Sequence, residues 1–312
     1  MRVKAERFLL LASLALVPVA AAQAPTVHAR SAAECSQTST GLVPLTELGK
    51  RRYRGWQGGL YPSGQNRPPR AYLARGLAAA KRVQPIKGRI VVLSVGIANA
   101  DQEFRALTKL ATGDAEIDPT VKLVDGAMAG WDARRIAKPG AGYWRAVDRK
   151  LTAEGVTPKD VQVVWLKTVI SGEERAFPND AKALRNQLRT IVQILGKRYR
   201  SLRLVYVSSR SYGGYAVTAF NPEPAAYDGG FAVKWLIQER IAAKPKLPCV
   251  GWGPYLWADG LTPRSDGLTW TCEDFKADGT QPSAAGATKV ARLLLRFFKS
   301  DSTAKDWFLA QS

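Results

Sequence analysis

The segment DGTQPSAAG, Asp278 to Gly286, joins an aspartate, a tight turn and the start of a helix. In an Asp-x-x-His arrangement ahead of a helix, the histidine can take a proton while the aspartate orients its ring. Here Gln281 stands where that histidine would stand. A glutamine amide accepts no proton at neutral pH. The chain's one histidine, His28, lies near the N-terminus and outside the α/β pattern traced below. A serine–histidine–aspartate triad is therefore excluded. Ser94, inside an apolar run, is expected to point into the packing layers, and Ser208, Ser209 and Ser211 to satisfy backbone groups at a strand end. Asp101, Asp125 and Asp278 would need to converge to hold a hard cation through oxygen; solvated turn carboxylates are the plainer reading. Without Cys or His at ligand spacing, neither a metal site nor a cofactor is expected.

The three cysteines Cys35, Cys249 and Cys272 suit an oxidising compartment. Cys249 and Cys272 flank a Trp-rich loop and are expected to pair, leaving Cys35 free, although the count permits any pairing. The first residues read as an export signal. Arg2, Lys4 and Arg7 precede the apolar run FLLLASLALVPVA, and AAAQA supplies small residues for cleavage. The expected location is secreted or periplasmic, with no transmembrane segment after cleavage. A formal charge of +20 comes from 46 Lys and Arg against 26 Asp and Glu, scattered along the chain. Such an excess fits a solvated basic surface. As a binding signal it points to anionic glycans, lipopolysaccharide or a membrane surface, since export argues against nucleic acid.

The elements that must carry these residues are legible by period. GRIVVLSVG (88–96), VKLVDG (121–126), VQVVWLK (161–167) and LRLVYVSSR (202–210) are β-branched runs expected to be strands. Helices are expected over 179–199, where Leu184, Leu188, Ile191, Val192 and Leu195 form one stripe, and over 229–243 and 283–299. Alternating strands and helices predict a parallel sheet covered on both faces, with polar sites at the strands' carboxyl ends. Residues 1–24 are assigned to the signal and 25–86, rich in Pro, Gly, Arg and Ser, to an extended arm with one short helical pattern near 71–82. Residues 87–312 are assigned to the α/β domain.

GIANADQEF, SSRSYGGYA, GFAVKWLI, WGPYLWADGLTPRSDGL and DFKADGTQPSAAG together resemble a bacterial branch of secreted SGNH, or GDSL-type, hydrolase-like proteins. The resemblance runs from about residue 88 to 299. It implies a flavodoxin-like three-layer α/β/α fold and an ester hydrolase's site: a serine after the first strand, a glycine N–H and an asparagine as oxyanion donors, and Asp-x-x-His. Carried over position by position, Ala98 replaces the nucleophile, Gly130 keeps the oxyanion glycine, Val169 or Ile170 replaces the asparagine, Asp278 is retained and Gln281 replaces the histidine.

A pseudoenzyme with a surviving cleft is the reading these departures support. An acylated or anionic glycan is its expected ligand. The alternatives are an esterase or deacetylase with a non-standard constellation, and an interaction protein of the envelope. Asn99 and Asp101 are the expected polar contacts in the pocket, with capping of the following helix as their structural alternative. Trp252, Tyr255, Trp257 and Trp270, in the loop between Cys249 and Cys272, are candidates to stack on sugar or acyl groups, with a small satellite core as the alternative.

Overall fold

β-Branched runs with almost no polar residue have one stable place in a water-soluble chain, the middle of a sheet covered on both faces. The computed structural model, which describes residues 35–172, 176–244 and 248–311, places them there. From the N-terminus, α1 (Leu45–Leu48), β1 (Arg52–Tyr53), β2 (Trp56–Gln57) and α2 (Arg70–Ala80) precede the sheet. Then follow β3 (Ile90–Gly96), α3 (Ala98–Ala111), β4 (Val121–Asp125), α4 (Ala133–Ile136), α5 (Gly142–Ala153) and β5 (Val161–Lys167). The chain continues through α6 (Asn179–Arg198), β6 (Leu204–Val207), α7 (Ala225–Ala242) and β7 (Cys249–Trp252) to α8 (Ala284–Ser300) and α9 (Lys305–Phe308).

Five parallel strands lie in the order β4-β3-β5-β6-β7, the doubly wound order of flavodoxin-like folds. Every residue of β3, β5 and β6 is buried, whereas at the edges β7 alternates between partly buried and buried positions and β4 is partly buried except at Val124. Each fully buried Val, Leu or Ile in these strands contributes roughly 1.5–3 kcal/mol through removal from water. The chain reverses direction across the sheet after β4. The helices pack in pairs: α3 with α8, and α6 with α7. The apolar stripe Leu184, Leu188, Ile191, Val192 and Leu195 is buried in α6, as are Val290, Leu294 and Phe298 in α8.

β7 has no counterpart in the sequence reading. Its four residues, CVGW, include a glycine and lie at a sheet edge, so no apolar run announces them. The segment from residue 35 to 86 shares the main core: Leu45, Leu48, Tyr61, Tyr72 and Val83 belong to the same hydrophobic cluster as the sheet. Polar anchors hold its path. The buried Asp259 carboxylate accepts from Ser39 Oγ (2.5 Å), Thr40 N (2.7 Å), Thr40 Oγ1 (2.6 Å) and Gly41 N (2.9 Å). Tyr72 donates its hydroxyl to the Val250 carbonyl of β7 (2.7 Å), and Lys234 of α7 donates to the carbonyls of Gln57 and Gly58.

The expected Cys249–Cys272 bridge is corrected. Cys272 pairs with Cys35, and Cys249 is a free, partly buried thiol on β7. The pairing joins the start of the arm to the loop ahead of α8, closing most of the chain into one ring. Residues 1–34, including the expected signal and His28, lie outside the described residues. Among the described residues no helix is long and apolar enough to cross a membrane.

A peptide map under non-reducing conditions should recover Cys35 and Cys272 as one cross-linked pair, with Cys249 alkylated after unfolding. Cys35→Ser should lower stability by roughly 2–4 kcal/mol in urea titrations. A Cys249-containing disulfide would contradict the arrangement.

Candidate functional site

Strand ends build the site. Gly96 closes β3 against β5 so tightly that a Cβ there would lie 1.9 Å from the Lys167 carbonyl oxygen. Only glycine permits that approach, and it places the start of α3 at the carboxyl end of the sheet. Gly130 has a different need. Its φ of +77° is left-handed, and the space around it is open, so conformation and not crowding selects glycine. Around these turns lies a cleft of about 620 Å³. The ends of β3, β4, β5 and β6 and the turn before α8 all contribute to it.

Ala98, Gly130, Asp278 and Gln281 all line this cleft, and so does Val169. Ile170 does not; its carbonyl accepts from Asn221 Nδ2 (3.2 Å). Asn99 lines the cleft without capping α3. Its Nδ2 donates to the Thr280 carbonyl (2.9 Å), tying the start of α3 to the turn before α8. The N-cap of α3 is Ile97, which offers the first N–H groups no side-chain acceptor.

Asp101 lies outside the lining. It pairs with Arg105 (2.7 Å), which also reaches Asp125 (3.5 Å). Ser94 donates to Asp125 Oδ1 (2.5 Å) and accepts from the N–H groups of Gly126 and Ala127, so its hydroxyl serves the β3–β4 turn. Ser208 Oγ accepts from the Trp165 indole (3.0 Å), and Ser208, Ser209 and Ser211 are buried away from the cleft lining. Asp278 stands apart from the Asp101–Asp125 pair, and no group of acidic, Cys or His side chains among the described residues is arranged to hold a metal ion.

The carboxylates in the cleft are engaged by main chain. Asp278 Oδ1 accepts from Thr280 N (2.9 Å) and Gln281 N (2.8 Å), fixing the turn before α8. Asp132 caps α4 through Arg135 N (3.1 Å) and accepts from Ser171 N (3.0 Å). The Gln281 side chain turns to Gln102, whose Nε2 donates to both Gln281 Oε1 (3.3 Å) and the Ala98 carbonyl (3.2 Å). No histidine lies among the described residues, and the two carboxylates of the lining, Asp132 and Asp278, are held by main-chain N–H groups.

The expected aromatic platform is also corrected. Trp252, Tyr255, Trp257 and Trp270 are all buried, and none lines the cleft. Their polar tips serve the interior. Trp252 Nε1 donates to the Leu60 carbonyl (2.8 Å), and Tyr255 Oη accepts from Leu45 N (3.2 Å). Trp257 Nε1 donates to Glu223 (2.8 Å) and Trp270 Nε1 to the Leu256 carbonyl (2.8 Å). The loop is a core that grips the arm.

Sequence reasoning missed Arg210, Phe220 and Asn221, which line the cleft together with Arg134 and Arg135. The signal for Arg210 was an arginine three residues after a wholly buried strand, at the carboxyl end of the sheet. Beneath it, Lys167 and Glu103 form a fully buried ion pair. Burial pushes the Glu103 carboxyl up and the Lys167 ammonium down, and each opposes the other's shift.

No protein-family model and no curated protein matches the chain. Solved structures are similar at a low level. A Bacillus subtilis protein shares 15% identity over 69% of this chain and 57% of its own, with a TM-score of 0.38. The periplasmic domain of a lipopolysaccharide acetyltransferase from Salmonella ser. Paratyphi A shares 9% over 72% and 87%, with a TM-score of 0.39. An extracellular lipase from Streptomyces rimosus shares 11% over 66% and 99%, with a TM-score of 0.33. The chain spans little more than half of the Bacillus subtilis protein, and scores this low define no family for it.

Asp125 generates a pH test. Burial, then the Asp101 carboxyl, pushes its carboxyl up to about 7, against about 4 in an unfolded chain. The folded state therefore holds this proton more tightly. The resulting stability is complete below about pH 4 and is lost as pH rises through about 7. Urea midpoints should fall across that window, by at most roughly 1.4 kcal/mol per pH unit for one group. Asp125→Asn should flatten the curve. Parallel curves would contradict the assignment.

Proposed function

We propose that this is an exported SGNH-like protein that has lost ester hydrolysis and keeps its cleft for binding. The observation that carries the reading is the convergence on one cleft of Ala98, Val169 and Gln281, at the positions where nucleophile, oxyanion donor and base would stand. Asp278 persists because it caps the turn before α8 through two N–H groups, a task that needs no histidine.

Magnitudes support silence. In a comparable triad, losing the serine or the histidine costs roughly a million-fold in turnover. Losing one oxyanion donor costs roughly a further 10²–10³ where that donor acts. The Cys35–Cys272 bridge supports an oxidising compartment, in keeping with export. The ligand class follows from the cleft's own lining. Apolar Ile97, Ala98, Val169 and Phe220 stand beside Arg134, Arg135 and Arg210, a mixture suited to an acylated or acidic envelope molecule such as a modified glycan.

The purified protein should cleave short acyl esters and acetylated sugars no faster than buffer. In the same assay, Ala98→Ser combined with Gln281→His should give measurable ester turnover, held below that of a complete site because Val169 donates no hydrogen bond. Turnover by the unaltered protein that disappears in Asp278→Ala would overturn the reading.

A further inference from the structure

Arg210 sits on the cleft wall with only 4% of its surface exposed. A guanidinium carries five N–H donors in a planar fork and stays charged. Arg210 uses one of them, in a long bond from a terminal nitrogen to the Thr280 carbonyl (3.4 Å), and its Nε has no partner. A buried cation is ordinarily paired. Arg210 forms no ion pair among the described residues, because the nearby carboxylates are otherwise occupied. Glu103 binds Lys167. Glu223 accepts from Trp257 Nε1, Gly213 N and Tyr227 N. Asp278 holds the N–H groups of its own turn. Burial accordingly lowers the Arg210 pKa, while these three carboxylates oppose the shift from a distance.

A second feature faces the same space. The 14-residue helix α3 starts at Ala98 without a side-chain cap, and Ile97, Ala98 and Asn99 all lie in the cleft lining, which puts the helix's positive end at the cleft wall. On the rim, Phe220 is 57% exposed, an unusual position for a phenylalanine, and Val169 lies within the same lining.

We propose that the cleft binds a carboxylate, its charge taken by Arg210 and the amino end of α3 and its remainder laid along Val169 and Phe220. The inference rests on the reading of the cleft as a binding site and names the charged group of its ligand. A monoanion fits better than a dianionic phosphate, because Glu103, Glu223 and Asp278 surround the guanidinium at longer range. A planar carboxylate also matches the planar fork. The carboxylate has two natural sources, a fatty acid and an acidic sugar.

The test is calorimetric titration of the intact protein with hexanoate against hexanamide, and with galacturonate against galactose. At least one acid should bind more tightly than its neutral counterpart by roughly tenfold or more, and the pair that does so identifies the source. Arg210→Met should weaken that binding roughly thirtyfold or more, and Arg210→Lys should retain part of it, with folding checked by circular dichroism. Equal binding of acid and neutral in both pairs would overturn the proposal without recourse to any variant. So would acid binding unchanged in a folded Arg210→Met protein. Cleavage of a hexanoyl ester by the unaltered protein would strike the non-hydrolytic reading, while the acid–neutral comparison would still judge the carboxylate site on its own.

Discussion

The carboxyl end of this sheet depends on the buried pair between Lys167 and Glu103. Lys167 ends β5, Glu103 lies in α3, and both side chains are almost wholly out of water. Removing either partner alone would strand a buried charge at a cost of about 3–5 kcal/mol. The pair therefore fixes how α3 meets the end of β5, and Gly96 sets the same junction on the main-chain side by admitting the Lys167 carbonyl. Because Glu103 is committed to Lys167, Arg210, beyond the end of the next strand, is left without an ion-pair partner among the described residues. The charge that faces the cleft follows from this interior arrangement.

The cleft holds its shape through bonds unrelated to proton transfer. Asp278 and Asp132 both accept main-chain N–H groups, and Asn99 joins α3 to the turn before α8. Gln281 reaches sideways to Gln102, which also touches the Ala98 carbonyl. Asp278, Asp132, Asn99 and Gln281 thus each have a structural partner. That explains how an aspartate can persist beside a glutamine: its work in the turn is independent of what stands three residues later.

The sheet was legible in the sequence because burial on both faces demands uninterrupted β-branched runs, and β3, β5 and β6 consist of little else. Ala98, Gly130, Asp278 and Gln281 were named by the resemblance, and they line one cleft because strand ends in a doubly wound sheet share one edge. β7 was hidden by its shortness and its glycine. The disulfide was hidden because sequence proximity around the Trp-rich loop says nothing about the spatial path of the arm, which brings Cys35 to Cys272. The four aromatics of that loop were hidden for a related reason. An aromatic ring with one polar atom suits a cleft or a core equally well, and the deciding partners are three-dimensional: the arm for Trp252 and Tyr255, Glu223 for Trp257 and the Leu256 carbonyl for Trp270. Arg210 was passed over because a charge after a strand is ordinarily solvated, and its isolation from counter-ions is a three-dimensional fact.

The proposed reading requires that the cleft around Ala98 hold no activated nucleophile. Exposure of the folded, unaltered protein to a serine-directed fluorophosphonate, followed by intact-mass measurement, tests it most directly. The expected mass is unchanged by the reagent, since Ala98 offers only a methyl, Ser94 and Ser208 are buried in structural bonds, and no histidine lies among the described residues to activate Ser171 in the cleft lining. A stoichiometric adduct that maps to Ser171 in the cleft lining, or to Ser94, Ser208, Ser209 or Ser211, would contradict it.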